Sequence, residues 1–358
     1  MKLRQWEAIP RAIRLAVPYR IAGRTFDSAG MIFVTLLDED GVTGHGSCTP
    51  VPPLTGDDPA TALGALRERL LPALAAGDIS DPVSAIARAE EASPSERSAL
   101  AALDIALHDL HAKRLGLPLV QMLGGSRRRL MTSVTVGIDR PEAMVRQAVA
   151  HVARGFRILK VKIGEDTAVD LDRLRRIRSA VGPSIAIRVD ANEGYSLDDA
   201  ARCCRELADL DIELFEQPVA AGSPASLALL SSTCPIPVVA DESVKVASDL
   251  PPLVAARAAG GANIKLMKCG GLAEARRLDS LLHQAGWSAL VGCMDESRAS
   301  IAAAAHFAAA ADSVRWIDLD GHLDLSEDPF TDGVELKDGE LLLSDAPGLG
   351  VVRMAWPG

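Results

Sequence analysis

Six ionisable residues recur through the middle of the chain: Lys160 and Lys162, then Asp190, Glu216, Asp241 and Lys265, at intervals from Lys162 of 28, 26, 25 and 24 residues. Three carboxylates brought to one place repel each other unless a cation joins them. An all-oxygen set of this kind suits Mg2+, or Mn2+, better than zinc, which favours His and Cys. Lysines flanking such an ion are candidate acids and bases. Lys160 and Lys162 are two apart, so on a strand both point to the same side. Their mutual repulsion is expected to lower the pKa of each and bring a neutral lysine within reach near pH 7. The plainer readings are lysines at a sheet edge and carboxylates that each cap a following helix.

The interval itself says which elements must position these groups. About 25 residues is one strand, one helix and two loops. Apolar runs that fit buried parallel strands lie at Ser133–Ile138, Ile158–Ile163, Ile185–Val189, Ile212–Phe215, Ile236–Ala240, Ala262–Leu266, Ser288–Val291 and Val314–Leu319. Segments with helical periodicity, such as Val169–Val181, Leu197–Leu210 and Leu272–Ala285, lie between them. Eight strands with seven helical segments, and no Gly-rich phosphate turn after the first, predict an α/β barrel over residues 126–320. A barrel has no edge, which argues against the plain reading of the lysines. Its sixth strand lies nearly opposite its second, so Lys162 and Lys265 would address opposite faces of a carbon held between them. That arrangement inverts a stereocentre: one base takes the α-proton, the metal stabilises the enolate, and the other base returns a proton. Lys160 would tune Lys162, and Lys268 would support the site or start the next helix.

The first third reads differently. Ile32–Leu37, a turn at Asp38-Glu39-Asp40-Gly41 and Val42–Gly46 form a hairpin, joined by the segment around Arg4–Val17. Thr49–Pro59 is a Pro- and Gly-rich loop, followed by helical patterns at Ala60–Ala75, Asp81–Ala92 and Ser95–Leu115. Residues 1–125 therefore form an α+β unit, and the tail 321–358 is expected to return to it. With 48% apolar but only 3% aromatic residues, the core must rest on Ala, Leu, Val and Ile. The net charge of −10 disfavours nucleic acid, and Arg127-Arg128-Arg129 reads as a solvated turn rather than a phosphate site. Six cysteines without CxxC spacing read as reduced, and the N-terminus lacks the apolar stretch of a signal peptide. No apolar run is long enough to span a bilayer, so the expectation is a cytoplasmic protein without membrane partners. Barrels of this kind often assemble as homo-oligomers, and that is the expectation here.

Lys160-Val161-Lys162 on the second strand with Lys265 on the sixth resembles the muconate-lactonizing subgroup of the enolase superfamily, whose members use a Lys or His base with Mg2+. The resemblance implies a (β/α)7β modified TIM barrel under an N-terminal capping domain. Within the subgroup, Asn263–Gly271 together with Gly292-Cys293-Met294-Asp295-Glu296-Ser297 resembles the dipeptide epimerases, including L-Ala-D/L-Glu epimerase. Asp318-Leu319-Asp320 is similar to that family's Asp-x-Asp, which holds the α-ammonium of a dipeptide; a turn-capping pair before Gly321 is the alternative. The resemblance also implies substrate contacts from Met294 and Asp295, and from capping loops at about Tyr19–Phe26 and Ser47–Asp57. Arg24 resembles the arginine that meets a Glu side chain in Ala-Glu epimerases. Two positions depart from the pattern. Ser47-Cys48 stands where many members have Gly-Glu-Ala, and Asp295 where an apolar residue is usual. Asp295 either favours a cationic C-terminal residue or points outward as a helix cap. The implied reaction is Mg2+-dependent epimerisation at the C-terminal residue's α-carbon. N-acylamino-acid racemisation, o-succinylbenzoate synthesis and muconate cycloisomerisation are the alternatives, and a non-catalytic barrel is the contrasting class.

Overall fold

The computed structural model describes residues 1–355. The chain opens with a long antiparallel hairpin, β1 (Leu3–Ile21) and β2 (Arg24–Asp38), and β3 (Thr43–Cys48) adds to β2. The expected loop Tyr19–Phe26 is instead the tip of this hairpin. Tyr19 pairs with Phe26 across the strands, and their rings stack with centroids 5.4 Å apart. Alternating large side chains at the tip make it strand-like, and a cross-strand aromatic pair is a favourable contact. Helix Arg97–Leu115, buried along most of its length, packs on this sheet and touches the barrel on its other side. Helices Pro59–Ala65 and Leu71–Ala76, joined through a wider turn at Leu66–Leu70, together with Pro82–Ala92, complete the unit.

A short strand, β4 (Arg129–Met131), leads into eight parallel strands in chain order: β5 (Val134–Val136), β6 (Ile158–Lys162), β7 (Ala186–Asp190), β8 (Ile212–Glu216), β9 (Val238–Ala240), β10 (Gly261–Ile264), β11 (Ser288–Gly292) and β12 (Val314–Asp318). The ring closes where the Ser133 N–H donates to the Ile317 carbonyl at 3.1 Å. Helices Pro141–Ala153, Thr167–Val181, Leu197–Asp209, Pro224–Thr233, Leu250–Ala255, Leu272–Ala285 and Arg298–Ala310 connect the strands. Several strands are shorter than their apolar runs, β9 and β10 for identifiable reasons. Pro237 lacks an N–H, so β9 begins at Val238. After Ile264 the chain winds into the short helix Leu266–Cys269, with Lys265 at its N-cap.

Register makes the barrel interior a set of layers. Lys160 lies beside Arg188, Lys162 beside Asp190, and Asp190 beside Glu216. Within the barrel, Leu214, Val239, Leu290 and Trp316 form a separate buried apolar plug. Arg188 Nε and Trp316 Nε1 both donate to Glu213, at 2.7 and 3.1 Å. The charged layer therefore rests on a packed floor, as the core of a closed barrel requires.

The tail holds four strands that no long alternating pattern announces: β13 (Phe330–Asp332), β14 (Val334–Lys337), β15 (Glu340–Leu343) and β16 (Val351–Arg353). β15 pairs with both β14 and β4, and β13 with β16. Arg353 donates to Glu7 at 3.1 Å, and the Leu349 N–H reaches buried Asp109 at 2.8 Å, tying the tail to the capping sheet and its long helix. Among the described residues no helix is long and apolar enough to cross a membrane.

Candidate active site

Strand parity delivers the charged residues to one end of the barrel. Asp190 and Glu216 are the last residues of β7 and β8, and Asp241 and Lys265 follow β9 and β10 directly. One carboxylate oxygen from each of Asp190, Glu216 and Asp241 lies within 4.8 Å of the others, and all three residues are buried. Lys162 Nζ approaches Asp190 Oδ2 at 2.7 Å and Asn192 Oδ1 at 3.0 Å. Lys265 Nζ lies 2.7 Å from Asp241 Oδ2. The two lysines thus flank the triad, one beside its first carboxylate and one beside its last. Lys160 sits deeper, with its ammonium 3.1 Å from Asp190, 2.8 Å from Glu216 and 2.9 Å from Asp318.

This geometry overturns the expectation for Lys160. Burial alone would lower the pKa of Lys160, but Asp318, Glu216 and Asp190 outweigh it and hold the ammonium well above its ordinary value. Lys265 is likewise raised: burial works against it, and Asp241 prevails. Carboxylates, rather than the neighbouring lysine, dominate each ammonium. Glu216 is pushed up to about 7, by burial first and then by the charge of Asp190. Burial also opposes ionisation of Asp190, yet Lys162 and Lys160 bring it down to about 2.

The triad fits a hard divalent cation by its donor chemistry. Its members are oxygen donors alone, and Glu216 Oε2 and Asp241 Oδ2 are buried without a donor at hydrogen-bonding geometry, although lysine ammoniums lie near both. Neighbours fix the ligands' orientation. Asn263 Nδ2 donates to Glu216 Oε1 at 2.7 Å. Gln217 Oε1 accepts the Asp241 N–H at 2.8 Å. Lys268 donates to a carboxylate oxygen of Asp241, and also to the carbonyls of Asp241 at 2.6 Å, Val244 at 2.9 Å and Asn263 at 3.0 Å. It braces the site from behind, as the sequence suggested. Gly292 leaves room for this bracing, since a Cβ there would come within 2.6 Å of Asn263 Oδ1. Asn192 and Asn263 join the site without having been expected there from the sequence. The signal was the two-residue step that pairs them with Asp190 and Lys265.

Beyond the triad a cavity of about 290 Å³ opens, lined by Lys160, Lys162, Lys265, Met294, Asp295, Asp318 and Asp320 among others. Asp318 is engaged on both oxygens, by Ser133 Oγ at 2.6 Å and Lys160 Nζ at 2.9 Å. Asp320 Oδ2 accepts the Thr135 N–H at 2.7 Å, the Thr135 hydroxyl also supports this carboxylate, and Oδ1 lies 3.9 Å from the Cys293 thiol. Of the Asp-x-Asp pair, Asp318 is tied to Lys160, whereas Asp320 forms no ion pair among the described residues and is the member freer to take a cation. Asp295 points inward and accepts from Tyr19 Oη at 3.1 Å. Burial lifts its carboxyl to about 6, with the Tyr19 hydroxyl pulling downward and Asp320 upward. This decides against the outward-pointing cap. Gly321 lets the loops carrying Asp295 and Asp320 cross closely, since a Cβ there would fall 1.8 Å from the Met294 carbonyl.

Arg24 is not among the cavity-lining residues. Its guanidinium lies over the Phe26 ring, 5.7 Å from the centroid. Nor does Ser47–Asp57 line the cavity. Ser47 Oγ meets Ser297 and Ser300 at 2.5 and 2.6 Å, and Thr49 Oγ1 donates to the Asp295 carbonyl at 2.7 Å. The segment docks the cap onto the barrel loop that carries Asp295. From the capping unit, Ala16, Val17 and Tyr19 reach the cavity.

A barrel whose strand ends present lysines on both flanks of a carboxylate triad defines a class of metal-assisted carbon-acid enzymes. The chain belongs to the mandelate racemase/muconate lactonizing enzyme family of the enolase superfamily, matching its N-terminal domain over residues 6–124 and the enolase C-terminal domain-like family over residues 143–353. It is 41% identical to the L-Lys-D/L-Arg epimerase of Methylococcus capsulatus, over 98% of this chain and 99% of that one. The crystal structure of a dipeptide epimerase from Methylococcus capsulatus, complexed with Mg and the dipeptide L-Arg-D-Lys, superposes with a TM-score of 0.94 at 40% identity, covering 99% of this chain and 100% of that one. The substrate-liganded L-Ala-D/L-Glu epimerase of Bacillus subtilis gives a TM-score of 0.96 at 34% identity, with the same coverage.

Proposed function

We propose that this protein is a Mg2+-dependent dipeptide epimerase that inverts the α-carbon of the C-terminal residue, and that it favours a cationic residue there. The observation that carries the reaction is the placement of Lys162 and Lys265 on the two flanks of the triad. Asp190, Glu216 and Asp241 would hold the ion. When bound, it supplies the positive charge that makes an α-proton next to a carboxylate removable. The protein's own groups do the rest. Asp320 Oδ1 takes the substrate's free ammonium and so sets its orientation. One lysine accepts the α-proton from one face, and the opposite lysine, as an ammonium, donates to the other face. The reverse direction exchanges their roles. Lys160, tied to three carboxylates, keeps its charge and offsets negative charge beside the reacting carbon.

Preference for a cation rests on Asp295, a carboxylate in the cavity wall whose side-chain hydrogen bond comes from a tyrosine. A cavity-facing carboxylate that forms no ion pair among the described residues suits an ammonium or guanidinium on the ligand. The likeness to the L-Lys-D/L-Arg epimerase of Methylococcus capsulatus is consistent with this preference, as is the position of Arg24 over Phe26 rather than in the cavity wall.

The test is α-proton exchange in D2O, read by NMR with a dipeptide library. Deuterium should enter the C-terminal α-position of L-Lys- and L-Arg-ended dipeptides, with the L,D isomer accumulating. Absence of exchange from every dipeptide would overturn the reading. N-acetylated versions should be turned over poorly, because Asp320 then lacks its cation.

A further inference from the structure

We propose that Asp324 is a second specificity carboxylate, which selects a cationic side chain on the substrate's N-terminal residue; the proposal rests on the dipeptide-epimerase reading above. Asp324 lies four residues beyond Asp320 and lines the same cavity. The chain is pinned there by strand-like pairing with the capping unit. Its carbonyl accepts the Ala16 N–H at 2.7 Å, Leu325 bridges Leu15, and the Ser326 N–H reaches the Arg14 carbonyl at 2.9 Å. The carboxylate itself forms no hydrogen bond or ion pair among the described residues. Arg154, which also lines the cavity, stacks over Phe156 with its guanidinium carbon 5.6 Å from the ring centroid.

The order of groups along the cavity assigns the two acids to two side chains. Asp295 follows β11 and accepts from Tyr19 in the cavity wall that Lys162 and Lys265 also line, which assigns it to the C-terminal residue. Asp324 lies beyond Asp320 on the segment after β12 and is held against Ala16 of the capping hairpin, which assigns it to the N-terminal side chain past the ammonium site. Burial, and then the neighbouring Asp320 and Asp295, push its carboxyl up to about 7, and a cation on the ligand would favour its charged form. A dipeptide with basic residues at both positions brings three cations: one α-ammonium and two side chains. Asp320, Asp324 and Asp295 match them one to one. The related epimerase crystallised with L-Arg-D-Lys shows that a ligand of this charge pattern enters a barrel of this kind.

The experiment compares kcat/KM for L-Lys-L-Arg with that for L-Ala-L-Arg, in the wild-type protein loaded with Mg2+ and in D324N and D324K. The wild type should prefer L-Lys-L-Arg. D324N should lower that ratio about tenfold or more, the worth of one charge-assisted contact. D324K should shift preference toward L-Glu-L-Arg. D295N should instead lower discrimination at the C-terminal position, measured as L-Ala-L-Arg against L-Ala-L-Leu. A ratio within twofold of wild type in D324N, with no shift toward L-Glu-L-Arg in D324K, would overturn the role of Asp324 and leave the epimerase reading standing. A wild-type protein that epimerises none of these dipeptides would overturn the underlying reading as well.

Discussion

Lys162 and Lys265 are chemically alike but are asked to serve opposite faces. Replacing either with Ala should therefore cut epimerisation by at least about 10³-fold, within the range that a lost proton-transfer group costs. Each variant should still wash deuterium into one stereoisomer, read by NMR from separate L,L and L,D substrates. Asp295 supplies a pH test. Its carboxyl is raised to about 6, so it is charged above that pH and progressively neutral below it. Recognition of a cation is then present at neutral pH and lost as pH falls through about 6. KM for L-Ala-L-Lys should rise on acidification more steeply than KM for L-Ala-L-Leu, and D295N should remove the difference.

Among the elements, the crossing of the loops after β11 and β12 positions Met294, Asp295 and Asp320 together. Gly321 permits this crossing, and a Cβ there would overlap the Met294 carbonyl. Because the clash is with backbone, no side-chain rotation relieves it. Gly321→Ala should raise KM for dipeptides, and a titration of Mg2+ affinity should change far less, since the triad lies on β7, β8 and the end of β9. A KM unchanged from wild type would mean that the loops separate without consequence. The hairpin tip of β1 and β2 contributes Tyr19 in a comparable way. The stacked Tyr19–Phe26 pair holds the hydroxyl against Asp295.

For the whole molecule, buried Asp109 joins three parts. It accepts the N–H of His45 in the capping sheet and of Leu349 in the tail, both at 2.8 Å, and pairs with Lys113 at 2.7 Å. Asp109→Ala leaves two buried N–H groups without acceptors and should cost about 3 kcal/mol, read from a denaturant midpoint. Binding of Mg2+ stabilises only the folded barrel. At a hundred times its Kd it should add about 2.7 kcal/mol and raise Tm, whereas EDTA should reverse the gain. A Tm indifferent to Mg2+ would argue against the triad as an ion site.

The sequence by itself determined the barrel and its charged ring. Strand parity and a repeat near 25 residues are local properties, and together they specify which side chains point inward and at which end. Lys160, Lys162, Asp190, Glu216, Asp241 and Lys265 were legible for that reason. Only the tertiary structure decided the rest. Whether Lys160 is lowered by its neighbouring lysine or held by carboxylates depends on distances across strands, and the carboxylates won. Arg24 turned to Phe26, Ser47 became a docking contact, and Asp324 entered the cavity because pairing between β1 and the segment after β12 carries it there. The last two outcomes turn on contacts between residues hundreds of positions apart, which no local pattern encodes.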